Sequence, residues 1–199
     1  MEKCIIPELH ILQGFCNHLF WAGIASLVGR DKALLWPRKL NLISRDYHGE
    51  CFEGNACRTH LKEAELLNDP KIYHSVGYFA ILPFISAFKN MNKIVEKYSV
   101  TKKITDFDDL PFLLRQLEID LKNTNVSFSL KLHVFLNHSP QCLQFLNNDG
   151  LGLWSEQAGE SIHRKFKQIY ENYKINSIAN ARYAENLRAA VVVFSSLNI

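Results

Sequence analysis

Between Glu8 and Val28 the chain carries too little polar surface for a helix that lies against water. Leu9, Leu12, Phe15, Cys16, Leu19, Phe20, Gly23 and Leu27 recur at the three- and four-residue spacing of a single helical face. The opposite side also carries Trp21, Ile24 and Val28. A helix that is apolar nearly all round must be packed from several sides, so the remaining segments have to surround it. Pro7 stands near its first turn, where a missing N–H is harmless. His10, Gly14 and Asn17 share the second side, and polar groups in such a setting are expected to be satisfied within the core.

The rest of the sequence supplies amphipathic partners. Residues 30–53, with Trp36-Pro37 and Tyr47-His-Gly-Glu, read as irregular. Glu53-Gly-Asn-Ala-Cys-Arg58 leads into a helix to about Asn68, with Asn55 as the expected N-cap. Asp69-Pro70 opens a long helical stretch to Tyr98, kinked at Pro83. Further helices are expected over 107–123, from Phe128 to His138 (ended before Pro140), around Glu160, and from Ile178 with Tyr183, Leu187, Val191 and Phe194 in register. Asn147-Asn-Asp-Gly150 reads as a turn. Only short runs such as Val191–Phe194 have strand character. The class is all-α, with roughly seven helices, and the chain divides into a region 1–150 and a C-terminal pair of helices over 151–199.

At 199 residues with 47% hydrophobic content, the chain is long and apolar enough for a folded core. Its 23 basic and 20 acidic residues permit contact with nucleic acid without requiring it. The apolar stretches read as shorter than a bilayer span, and the first residues lack the layout of a secretory signal. Cys4, Cys16, Cys51, Cys57 and Cys142 are odd in number and contain no Cys-x-x-Cys, which favours reduced thiols and an intracellular location.

The segment Gly150–Lys167 carries the most chemistry. On a helical wheel Trp154, Ala158, Ile162, Phe166, Ile169 and Tyr173 fall on one arc, and Glu156, Glu160, His163, Arg164 and Lys167 on the other. One face suits a core. The other sets two carboxylates beside cations, as a surface helix laced with ion pairs would, or as a site for a divalent metal next to a phosphate backbone would. His133 and His138 lie about 140° apart on a straight helix, so they reach one zinc only if the helix loosens before Pro140. Two more ligands would also be needed, with Cys142 the nearest candidate. Lys89, Lys93 and Lys97 recur every four residues, with Lys102 and Lys103 beyond, as a solvated face or a phosphate-tracking stripe. Arg58, near a helix start, suits an ion pair or a cap. No Walker loop, Gly-x-Gly-x-x-Gly, Gly-x-Ser-x-Gly or His-Glu-x-x-His occurs.

Four blocks recur in a known order: Glu8-Leu-His-Ile-Leu-Gln-Gly14, Gly54-Asn-Ala-Cys-Arg58, His133-x4-His138 followed by Pro140, and Gly150–Lys167 with Trp154 and Glu160-Ser161. In these the chain resembles the C-terminal part of the catalytic core of the V(D)J recombinase and of RAG-like and Transib-like DDE transposases. It looks closer still to transposon-derived invertebrate proteins. Residues 65–125 match only in being helical.

The resemblance implies an RNase H-like ancestor that cleaves DNA and transfers strands with two Mg²⁺ or Mn²⁺ ions held by three acids. Glu160 would be the third acid, a role that suits two-metal phosphodiester chemistry. It further implies DNA-backbone contacts from Arg58, His163, Arg164 and Lys167, and a place near the active site for His10. His133 and His138 would be the histidine half of a Zn²⁺ site.

The departures are as informative. The family's two aspartates and zinc cysteines would lie before residue 1, and none of Asp46, Asp106, Asp108, Asp109, Asp120 or Asp149 sits in an apolar strand-like run. The expectation is therefore a truncated or domesticated transposase remnant: the helical insertion and the acid-bearing helix, without the sheet, and not a nuclease on its own. DNA, or a missing upstream transposase segment, would be its partner, with a nuclear location if DNA binding persists. The rival is a non-enzymatic helical interaction module, whose uncovered apolar surface invites a homo-oligomer.

Overall fold

Nine α-helices order the described residues between Glu8 and Phe145, and their ends follow the prolines and glycines. The computed structural model describes residues 8–44, 50–100, 102–127, 129–145, 147, 149–151, 185, 188–189 and 191–192. Two compact units divide at Ser155: Met1–Ser155 and Glu156–Ile199. Of the second unit, Glu185, Arg188, Ala189, Val191 and Val192 are described, and all are helical. At these residues the expected last helix is present, and Val191 and Val192 are helix and not strand. The fold is all-α. Among the described residues no strand forms, and Lys103 and Asp149 make an isolated antiparallel bridge.

The apolar N-terminal segment is helical throughout but not uniform. α1 (Glu8–His18) continues into a π-helical stretch, Leu19–Ala25, and ends as α2 (Ser26–Val28). The wider π turn advances the buried face by about one residue. Ile24 and Val28 are consequently fully buried, whereas Leu27, expected inside, is 38% exposed. A methyl at Gly23 would stand 2.4 Å from the Phe84 ring, so the close crossing of that residue needs glycine. By length and composition Leu9–Val28 would also suit a membrane span, which corrects the expectation that no stretch is long enough; half of that window is buried by the rest of the fold.

Residues 30–53 are less irregular than their composition implies. α3 (Arg30–Ala33) and α4 (Leu35–Lys39) occupy their first part, with Trp36 and Pro37 buried. α5 (Gly54–Lys62) begins two residues earlier than an Asn55 cap would allow. Its N-cap is Glu53, because the Glu53 carbonyl already takes the first helical hydrogen bond from Cys57 N at 2.8 Å. A 3₁₀ turn, Ala64–Leu67, ends this segment.

The expected long helix from Pro70 to Tyr98 is two helices. α6 (Pro70–Tyr73) is capped by Asp69, whose side chain accepts from Lys71 N at 2.8 Å. Gly77 then turns the chain at φ 85°, a conformation that favours glycine, and α7 (Tyr78–Tyr98) begins. Pro83 lies inside α7, in its second turn, where one helical hydrogen bond is lost.

α8 (Leu110–Asn123) has Pro111 in its first turn and packs against α7 through Leu110, Leu113, Leu114, Leu117 and Leu121. α9 (Leu130–Phe145) runs through Pro140 rather than ending before it. The Ser139 hydroxyl donates to the Phe135 carbonyl at 2.5 Å within this stretch. α1 touches both α5 and α9, and α5 touches α7. The first helix is therefore enclosed by its neighbours, as its composition requires.

Candidate functional site on helix α1

Three of the four sequence blocks meet on one helix. Gly54, at the start of α5, lies so close to α1 that an added methyl would stand 2.7 Å from Leu9 and 3.9 Å from the Gln13 amide. One turn along, Cys16 donates to the Cys57 carbonyl (3.7 Å) and Cys57 to the Phe52 carbonyl (3.4 Å). Burial, and then the adjacent Cys57 thiol, hold the Cys16 thiol well above its ordinary pKa, so Cys16 is a packing residue and not a nucleophile.

Asn17 fastens the two segments together. Its Oδ1 accepts from Phe52 N at 2.6 Å, and its Nδ2 donates to Phe52 O at 3.0 Å and to Gln13 O at 2.9 Å. The side-chain amide thus serves as a second peptide group for Phe52. Trp21 Nε1 donates to Glu50 O at 2.9 Å and adds a second tie to the same loop.

His10 shares the α1 face of Asn17 and is half-buried; Arg58 is half-buried on α5. The structure places both on packed neighbouring helices. His133 and His138 are exposed on α9, which also packs on α1. Because α9 is continuous past both, the two imidazoles point about 140° apart, and His133 Nδ1 lies 3.3 Å from Asn137 Nδ2. Among the described residues no group of three His, Cys, Asp or Glu side chains converges as metal ligands. On those residues His133 and His138 do not fit a zinc site. Glu160, His163, Arg164 and Lys167 lie outside the described residues.

Two of the five lysines of the stripe, Lys89 and Lys97, are held in ion pairs. Lys89 pairs with Glu65, and Lys97 pairs with Asp109 at 2.7 Å and with Asp106 at 3.3 Å. Tyr98 donates its hydroxyl to the same Asp109 oxygen and stacks on Phe107. Its phenol is pushed up to about 12, by burial first and by its hydrogen bond to Asp109 second. The Lys97 and Tyr98 hydrogen bonds hold the Asp109 carboxyl below its usual range. These acids bind the end of α7 to the start of α8.

Two features escaped the sequence reading. Gly150, first residue of the Glu160 block, crosses the chain after α7 so closely that a methyl would stand 2.1 Å from the Val100 carbonyl; its N–H donates to Lys102 O at 3.0 Å. A glycine next to an aspartate looks like an ordinary turn, and nothing local marks the crossing. His60 is fully buried, and its partners come from three distant segments. Its spacing from Cys57 and Leu61 on the apolar stripe was the available signal.

Two cavities, one beside Phe15 and Leu121 and one beside Leu12 and Met91, each offer about 10 Å³. That is room for about one water and far below a small-molecule site. Comparison with protein families, curated proteins and solved structures finds no match for this chain.

Proposed function

We propose that the chain is a helical scaffold derived from a RAG-like DDE transposase, with DNA as its ancestral partner and no nuclease activity as a separate polypeptide. The observation that supports this reading is the meeting of the Glu8–Gly14, Gly54–Arg58 and His133–Pro140 blocks on α1. Segments far apart in sequence that form one packed unit are what a shared ancestral scaffold would leave behind. Two-metal chemistry would need carboxylates in addition to Glu160, and several described aspartates are engaged elsewhere. Asp69 caps α6, Asp106 and Asp109 hold Lys97, and Asp120 accepts from Asn90.

Supercoiled plasmid incubated with Mg²⁺ or Mn²⁺ should show no nicking above that of the Glu160→Ala variant. Nicking that Glu160→Ala abolishes would overturn the proposal.

Binding of a labelled DNA duplex, followed by anisotropy, should weaken about tenfold or more between about 50 and about 200 mM salt if even two or three phosphates are neutralised. Affinity that ignores salt would remove DNA as an electrostatic partner.

A second reading, a protein-interaction module, is favoured by Phe79, Ile43, Leu130 and Phe112, which are 84%, 83%, 78% and 62% exposed. Light scattering separates the two: an oligomer indifferent to DNA supports the module, and a monomer with salt-sensitive DNA binding supports the scaffold.

A further inference from the structure

His60 sits on α5 in a box of aromatic rings. Its ring centroid lies 4.4 Å from Phe52, 4.5 Å from Trp36 and 6.0 Å from Phe20, with Phe52 edge-on and Phe20 stacked. It has no exposed surface, and neither ring nitrogen has a hydrogen-bond partner. A buried polar side chain with both nitrogens unsatisfied costs stability even when neutral. Protonated, it would put a charge among aromatic groups with no anion to meet it.

Among the described residues, the elements around the box supply no such anion. α5 contributes Cys57, whose thiol is turned to Phe52 O, half-buried Arg58, exposed Lys62 and, at its C-cap, exposed Glu63. α4 contributes exposed Arg38 and Lys39, the latter paired with Asp69. The 50–53 segment brings Glu50, paired with Arg30, half-buried Cys51, and exposed Glu53. α7 brings exposed Lys89, paired with Glu65, and the segment from α1 brings Cys16, bonded to Cys57 O, and His18, whose Nε2 lies 2.7 Å from Ser127 O. None of these charges bears on the imidazole; burial alone accounts for its weakened basicity.

We propose that His60 is an acid-sensitive latch: the neutral ring fills the aromatic box and holds α4, α5 and the 50–53 segment together, and proton uptake expels it and frees α5. α5 also carries Gly54 and Arg58, so opening the latch would detach one sequence block from α1. The proposal does not depend on transposase ancestry.

The direction of the effect follows from burial. The folded protein holds the ring down to about 4 against an ordinary value of 6.5. Between these values the unfolded or opened chain binds the proton and the closed one does not. The latch is therefore fully closed above about pH 6.5 and loosens as pH falls. At about pH 5 the opening constant should exceed its value at about pH 7.5 by about 30-fold.

The test is amide exchange, corrected for intrinsic rates, on the wild type and on His60→Leu, which keeps an apolar group of similar size in the box. Wild-type α5 should lose about 30-fold in protection between about pH 7.5 and about pH 5, α8 should keep its own, and His60→Leu should lose little in either. An equal loss in wild type and variant, or a loss spread evenly over α5 and α8, overturns the latch. Should His60→Leu not fold, the wild-type His60 ring resonance decides: a midpoint near 4 supports the proposal, and one near 6.5 rejects it.

Discussion

Replacing Trp36 by alanine is expected to lower the unfolding free energy by about 3–5 kcal/mol, the range for emptying a large aromatic site in a core. Trp36 is fully buried and joins three elements. Its ring lies 5.2 Å from Phe88 on α7, 4.5 Å from His60 on α5 and 6.2 Å from Phe20 in the π-helical stretch. Its Nε1 donates to the Glu63 carbonyl at 3.1 Å, at the end of α5. The substitution therefore removes the packing and leaves that carbonyl without this donor. Thermal unfolding followed by far-UV circular dichroism should show a fall on the order of 10 °C. Trp36→Phe removes the N–H and part of the ring but keeps an aromatic group in the box, and should recover most of the loss. Phe79→Ala, at a residue 84% exposed, should change little. A Trp36→Ala loss below about 1 kcal/mol would mean that the box is not what joins α4 to the core.

What could be read in advance follows from how local each cause is. The helices were legible because apolar spacing and Pro or Gly punctuation act within a few residues, as at Asp69-Pro70 and in the Leu113–Leu121 stripe of α8. The break at Gly77 was missed because Pro83 looked like the stronger breaker. A proline in a helix's second turn is tolerable, whereas a residue at φ 85° ends the helix. The π-helical stretch was illegible in the same way: an apolar-all-round sequence carries no phase, so a one-residue advance of the buried face from Leu27 to Val28 leaves no trace in the pattern. α9 passes Pro140 because a proline's local preference can be outweighed by packing on both sides of it, here by Phe135 and Leu143, both buried. In the candidate site, the local polarity of Asn17 announced a satisfied core group. Its partner, the Phe52 backbone, was set by tertiary structure. His60 and Gly150 owe their roles to distant segments, to the aromatic box and to Val100; spacing puts His60 on the buried stripe of α5 but does not name the rings around it, and it holds no record of the Gly150 crossing.

Asn17→Leu is expected to cost about 2–4 kcal/mol, although the leucine would suit an apolar helix and fill similar space. The loss comes from the partner and not from the substituted residue. Phe52 is 1% exposed, and its N–H gives its hydrogen to Asn17 Oδ1 at 2.6 Å. Once that acceptor is gone, a buried donor is stranded at about 1–3 kcal/mol, and the two Nδ2 bonds are lost as well. The Phe52 carbonyl keeps the weaker Cys57 thiol contact, which sets the lower end of the range. Asn17→Asp separates geometry from charge. Its carboxylate still accepts from Phe52 N, but its second oxygen faces the Phe52 carbonyl where the amide used to donate. Protonating that oxygen restores a donor, so the folded-state carboxyl is raised above its unfolded value. The folded protein then binds the proton more tightly, and stability rises as pH falls toward that raised value. Urea unfolding at about pH 7 and about pH 5, compared with wild type at the same two values, should show Asn17→Asp closing part of its deficit at the lower pH, while the Asn17→Leu deficit stays constant. A deficit for Asn17→Asp that is the same at both values would show that the amide is not held between the two Phe52 backbone groups, and α5 would then have to owe its place against α1 to the Leu9–Gly54 and Cys16–Cys57 contacts alone.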